Sequence, residues 1–75
     1  MKRLNSHAVQ YFGLDLNITM PWVAVDEEGY LIEYEKEPML GDSQWCNEIH
    51  SDCNFICKVD LENLDWKDTK REFVL

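Results

Sequence analysis

Four potential metal donors fall within twelve residues of this chain, as Cys46-x-x-x-His50-x-x-Cys53-x-x-x-Cys57. Thiolate and imidazole form the donor set that zinc prefers, and four of them complete a tetrahedron. The spacing argues the other way, because structural sites pair one short knuckle with a second, distant pair, whereas these four crowd one loop and one strand start. A helix over 46–57 would bring His50 over Cys46 and Cys53 towards Cys57, but Ser51, Asp52 and Asn54 disfavour it. Cys57 then reads as a small core hydrophobe and the others as incidental. Neither a metal nor another cofactor is expected, and a small structural zinc module stands as an alternative.

A second pattern is Glu33-x-Glu35-x-Glu37. On a strand, alternate residues share a face roughly 6.5–7 Å apart, a repeat comparable to successive phosphates along a nucleic-acid strand. Such a ridge could occupy a nucleic-acid groove on another protein. The plainer reading is a solvated outer face that keeps a small sheet soluble and blunts its edge. On that reading, exchanging all three for Gln should leave stability within about 0.5 kcal/mol per site. Tyr34 and Trp45 lie near the ridge in sequence and belong to the residue types most enriched at binding hot spots. Glu33, Glu35, Glu37, Tyr34 and Trp45 are therefore the expected partner-binding set, whereas Trp22, Tyr30, Ile32 and Phe55 are expected in the core.

Catalysis is disfavoured. Paired carboxylates need a concave, partly desolvated pocket to separate their proton affinities, and 75 residues rarely enclose one. His7 and His50 belong to no recognised motif that joins a Ser or Cys nucleophile to an orienting acid. Cys46, beside Trp45, has no cationic neighbour in sequence to activate its thiol. A binding protein rather than an enzyme is expected.

Charge narrows the class of partner. The net charge is −8, and residues 26–52 carry nine acids (Asp26, Glu27, Glu28, Glu33, Glu35, Glu37, Asp42, Glu48, Asp52) against Lys36, so this segment holds the whole excess. Direct nucleic-acid binding demands a basic patch and is disfavoured; a basic protein surface is the natural target. Lys2 and Arg3 precede no apolar run of about 7–15 residues, and no run approaches membrane-spanning length, so a cytoplasmic location without membrane contact is expected. Three cysteines leave at least one unpaired, which fits a reducing compartment.

These groups must be positioned by a small domain. At 45 % apolar residues, with Trp22, Trp45 and Trp66, the chain should fold, although a domain this short buries only roughly 60 % of its unfolded surface. Residues 22–35 read as a hairpin around Asp26-x-x-Gly29, with Asp26 bonding the turn backbone and Gly29 in the left-handed conformation of a type I turn with a G1 bulge. Its second strand would set Tyr30, Ile32 and Tyr34 on an apolar face and Leu31, Glu33 and Glu35 on the other, ending before Pro38. Residues 39–53 read as a loop anchored by Trp45, and 54–61 as a third strand with Phe55, Cys57 and Val59 on one side. A further strand is expected at 11–18, and a short helix or 3₁₀ turn within 61–73 capped by Asp60. The expected fold is α+β and β-rich: one domain over 1–75, with a small antiparallel sheet of three to four strands and a short C-terminal helix.

The order Trp22-x-Ala24-x-Asp26-x-x-Gly29-x-Leu31-x-x-Tyr34, then Pro38, Trp45, Val59-Asp60-Leu61 and Trp66-Lys67-Asp68, resembles short acidic proteins carried by bacteriophages and prophages. The resemblance covers residues 22–68. It implies an early or accessory phage protein, in a class with many small inhibitors of host enzymes and defence systems, several of them acidic mimics of DNA. It brings no catalytic residues, and the Cys46, His50, Cys53, Cys57 cluster is not part of its pattern. The expected partner is a host protein with a basic surface. A homodimer built from sheet edges or exposed aromatics is the third reading.

Overall fold

The computed structural model describes residues 6–75, so Lys2 and Arg3 lie outside the described residues. Its centre is the hairpin read from Asp26-x-x-Gly29. β3 (Trp22–Val25) pairs antiparallel with β4 (Tyr30–Tyr34), Val23 opposite Glu33 and Val25 opposite Leu31. The Gly29 N–H donates to the Asp26 carbonyl (3.0 Å), and Asp26 Oδ1 accepts from the N–H groups of Glu28 (2.9 Å) and Tyr30 (3.0 Å). Gly29 has φ +90°, and a Cβ there would collide with the Val59 carbonyl oxygen. Glycine is thus required twice over at this position.

The strand expected at 11–18 forms from Leu14 onward and is the second arm of a hairpin that begins at His7. β1 (His7–Tyr11) and β2 (Leu14–Ile18) are joined by Phe12-Gly13, with φ of 55° and 69°. Positive φ at both central residues is the requirement of the tight turn that matches strand twist. Phe is a poor residue for that conformation, which is why the break was not legible.

β7 (Cys53–Lys58) pairs with the far side of β4, and β8 (Arg71–Glu72) with the far side of β3, giving one antiparallel sheet in the order β7-β4-β3-β8. The register of β7 slips between Leu31 and Ile32, so Ile56 is an extra residue; Phe55 opposes Ile32 and Cys57 opposes Leu31. Phe55 and Cys57 therefore lie on opposite faces, not on one as simple alternation predicts. Residues 39–53 contain a small hairpin, β5 (Met39–Leu40) with β6 (Trp45–Cys46), closed by Gly41 N–H on the Gln44 carbonyl (2.9 Å).

The C-terminal helix reduces to one 3₁₀ turn, Trp66–Asp68, capped by Asp65 rather than Asp60. Asp60 instead accepts from the Glu62 N–H (2.9 Å), and Asp65 from the Lys67 N–H (3.0 Å). Two such side-chain turns within six residues compete with helical bonding. The β-rich class with antiparallel sheets is as expected. No helix among the described residues is long and apolar enough to cross a membrane.

Both sheet faces are covered. Val23, Val25 and Leu31 pack beneath the first hairpin against Tyr11, Leu16 and Ile18. Ala24 and Tyr34 pack beneath Trp45 and Trp66, whose rings meet edge to face at 6.0 Å. Burying Ile18, Val23 and Leu31 completely stabilises the fold by about 1.5–3 kcal/mol each. Thr69 ties the layers together: its hydroxyl accepts the Val25 N–H (2.8 Å) and lies 3.0 and 2.7 Å from the carbonyls of Val25 and Trp66, its one proton serving either. The Tyr11 hydroxyl donates to the Thr69 carbonyl, and burial raises its pKa to about 12.

Candidate interaction surface

The expected acidic ridge does not form. Glu33 is 6 % exposed, because β4 is a central strand whose Leu31–Glu33 face lies under the first hairpin. Its carboxylate accepts from the Thr19 N–H (2.9 Å), the Met20 N–H (3.3 Å), the Thr19 hydroxyl (3.2 Å) and the Asn54 amide (3.2 Å). It clamps the end of β2 and the start of β7 to the sheet. Glu35 lies beyond β4, exposed, and accepts the Asp52 N–H (3.2 Å). Glu37 pairs with Lys70 at 2.7 Å, an exposed ion pair of the kind that contributes about 0–1 kcal/mol.

Tyr34 and Trp45 are not exposed anchors either. Tyr34 is 3 % exposed in the second core cluster; burial first, then the acidic groups of Cys53, Asp26 and Cys46, raise its pKa. Trp45 is 7 % exposed and its indole N–H donates to the Val25 carbonyl (3.0 Å). The Lys70 ammonium lies over both Trp22 (5.9 Å) and Trp45 (5.6 Å). These aromatics close the sheet's second face, so the expected loop anchor at Trp45 holds while the contact role does not. Phe55 and Tyr30, both expected in the core, are instead exposed and meet edge to face at 5.8 Å.

The four metal-donor candidates do not converge. Cys46 sits in β6 and His50 in a loop with φ 65°, both exposed. Cys53 opposes Tyr34 and Cys57 opposes Leu31, on opposite faces across the bulge. Among the described residues, no three His, Cys, Asp or Glu side chains are placed to hold one ion.

The acids that do gather come from two distant parts of the chain. The bonding of Asp26 leaves Glu27 and Glu28 exposed at the tip of the β3–β4 turn. Beside that tip, the Val59 N–H donates to the Gly29 carbonyl (2.8 Å) and brings in the loop 59–65. That loop is shaped by the Asp60 side-chain turn, a positive φ of 54° at Glu62 and a bond from the Leu64 N–H to the Leu61 carbonyl (2.8 Å). Together the tip and loop border a shallow, wide-open cleft of about 740 Å³, with Leu61, Leu64 and Trp66 as apolar lining and Glu27, Glu28, Asp60, Glu62 and Lys58 as its charges. Four carboxylates against one ammonium leave the cleft three charges negative. A groove of about 360 Å³ continues from it past Leu64 to Phe12 and Leu14.

A lining that mixes four carboxylates with Leu61, Leu64 and Trp66 suits a basic surface that also presents an apolar or long-stemmed side chain. Lys and Arg combine both properties, an aliphatic stem with a charged head. The local signals for the cleft, Asp26-x-x-Gly29 and Asp60-x-Glu62, are present in the sequence, but their adjacency depends on the shifted register of β7 against β4. Compared with known proteins, the chain matches no family model, no curated protein and no solved structure.

Proposed function

We propose that this protein is a small phage-type accessory protein that acts by binding, docking its acidic cleft onto a basic surface of a host protein and thereby inhibiting or modulating it. The observation that carries the reading is the convergence of Glu27, Glu28, Asp60 and Glu62 around Leu61, Leu64 and Trp66. The net charge of −8 adds long-range attraction to a positive partner. Action in the cytoplasm of the host fits the three free thiols.

With Glu33 inside the fold, a nucleic-acid-like face would be drawn from the cleft rather than from a β4 ridge. The test is affinity capture from the expressing cell, followed by binding kinetics over a salt series with wild type and with Glu27→Gln, Glu28→Gln, Asp60→Asn and Glu62→Gln combined. Association that slows with salt in wild type, and much less in the variant, supports the reading. A partner bound equally well by both proteins at all salt concentrations sinks it.

A further inference from the structure

The four-stranded sheet has one short edge, the two residues of β8, and one long edge, the six residues of β7. The bonding phase of β7 follows from two contacts at its ends. The Glu35 N–H donates to the Asp52 carbonyl (2.9 Å), which makes Glu35–Asp52 a bonded pair. Alternation then leaves Tyr34–Cys53 and Ile32–Phe55 as non-bonded pairs, so the peptide groups of Cys53 and Phe55 turn away from β4. Past the bulge, Val59 N–H on the Gly29 carbonyl (2.8 Å) makes that pair bonded and turns the Lys58 peptide outward in the same way. The free edge therefore offers N–H and C=O groups at Cys53, Phe55 and Lys58, and none of the three pairs with another segment among the described residues.

We propose that this edge is a self-association site, pairing antiparallel with β7 of a second copy so that the two Phe55 residues meet on the two-fold axis. The outward positions 53, 55 and 58 then face 58, 55 and 53 of the other copy, and each bulge absorbs the extra residue between 55 and 58. Phe55 is 61 % exposed at the centre of this edge, against the half-covered Tyr30 ring. Two copies of a chain with net charge −8 repel over most of their surfaces, but Cys53–Val59 contains no acid. Charge also selects the orientation. Antiparallel pairing carries each Lys58 towards the end of the other strand, where Asp52 and Glu35 lie together; parallel pairing would stack Lys58 on Lys58 and Asp52 on Asp52. β7 contains no Pro, and its two edge-blunting features, the bulge and Lys58, are both accommodated by the antiparallel pairing.

The test is sedimentation over a concentration series on wild type, Phe55→Asp, Lys58→Asp and the exchange variant Asp52→Lys with Lys58→Asp, each checked by thermal melting. Wild type should pass from monomer to dimer, with amide exchange at Cys53, Phe55 and Lys58 slowing as concentration rises. Phe55→Asp and Lys58→Asp should each weaken dimerisation about tenfold or more without lowering the melting temperature of the dilute monomer, and the charge exchange should restore dimerisation. A wild type that stays monomeric into the millimolar range overturns the proposal, as does a dimer indifferent to Phe55→Asp. Slow exchange at those amides only when a different protein is added would give the edge to a foreign strand and equally overturn it. Loss of cleft binding through Glu27, Glu28, Asp60 and Glu62 leaves these outcomes untouched, and Phe55→Asp tests the edge alone, because Lys58 lines both the cleft and the edge whereas Phe55 does not line the cleft.

Discussion

Glu28 and Glu33 stand five residues apart and carry the same group, yet they do opposite work. Glu28 lines the cleft from the hairpin tip, whereas Glu33 is enclosed and accepts four hydrogen bonds from three residues in two other segments. Asp26 sides with Glu33: it is buried and spent on the turn backbone. Charge along the chain is thus a poor guide to charge at a surface. Of the nine acids between 26 and 52, Asp26 and Glu33 are structural and Glu37 is paired, while Glu27 and Glu28 join Asp60 and Glu62 from elsewhere. A carboxylate on a central strand is covered by whatever packs on that strand, and one on a turn tip is not.

The contrast is broken most severely at the turn that separates the two groups. Gly29→Val should cost about 3 kcal/mol or more, since a β-branched residue resists positive φ and its Cβ meets the Val59 carbonyl. For a domain of this size that lowers Tm by roughly 10–20 °C. Ser43→Val, on the exposed loop, should cost less than about 0.5 kcal/mol. Equal losses in paired thermal melts would mean that the turn is not the constraint described.

Glu33→Ala should cost about 2–3 kcal/mol, because it strands the N–H groups of Thr19 and Met20 and the Asn54 amide. Glu28→Ala should stay within about 0.5 kcal/mol. Urea unfolding of the two variants measures the contrast directly, and similar midpoints would erase it. The same measurement corrects the expectation for the triple Gln exchange at 33, 35 and 37: its cost should fall almost entirely on Glu33, where Gln presents a donor in place of an acceptor.

Each core can be probed through its buried tyrosine, Tyr11 in the first and Tyr34 in the second. Tyr11, with a pKa of about 12 against an ordinary 10, keeps its proton in the fold more tightly than in the unfolded chain. Its contribution is complete below about pH 10 and is lost as pH climbs through 10 towards 12; Tyr34, raised in the same direction by burial, adds to the decline. Tyr11→Phe should cost about 1 kcal/mol at neutral pH by losing the bond to Thr69, and should flatten the alkaline slope of urea midpoints. An unchanged slope would show that Tyr11 ionises freely in the folded protein.

The smallest effect on stability is expected at the cleft. Exchanging Glu27, Glu28, Asp60 and Glu62 for their amides relieves repulsion among like charges and should leave the fold within about 0.5 kcal/mol per site. Thermal melts at low and high salt check this. A loss of several kcal/mol would move these acids into the structural group with Glu33 and remove the distinction between the two sets.

Much of the fold was legible because its signals are local. The Asp26-x-x-Gly29 turn, the strands flanking it, the third strand and the anchoring role of Trp45 follow from turn chemistry, period-two patterning and the few large aromatics available. The Phe12-Gly13 turn was not legible, since Phe seldom takes the conformation it holds there. Of the short helix or 3₁₀ turn expected within 61–73, only the 3₁₀ turn Trp66–Asp68 forms, because Asp60 and Asp65 bond their own neighbouring backbone, and β8 then draws the chain back onto the sheet.

By itself, then, the sequence determined an acidic, β-rich domain around one hairpin, with strands whose apolar and polar residues alternate. Only the tertiary structure decided which alternating face meets solvent. Alternation distinguishes two faces but does not say that a second hairpin will cover the polar one, and that cover is what buries Glu33 and leaves no ridge. The bulge at Ile56 is likewise invisible to period-two reasoning, yet it separates Cys53 from Cys57, exposes Phe55 at an open edge and carries loop 59–65 to the hairpin tip. Register slips are set by the balance of packing on both sides of a strand, and that balance exists only once the neighbouring elements are in place.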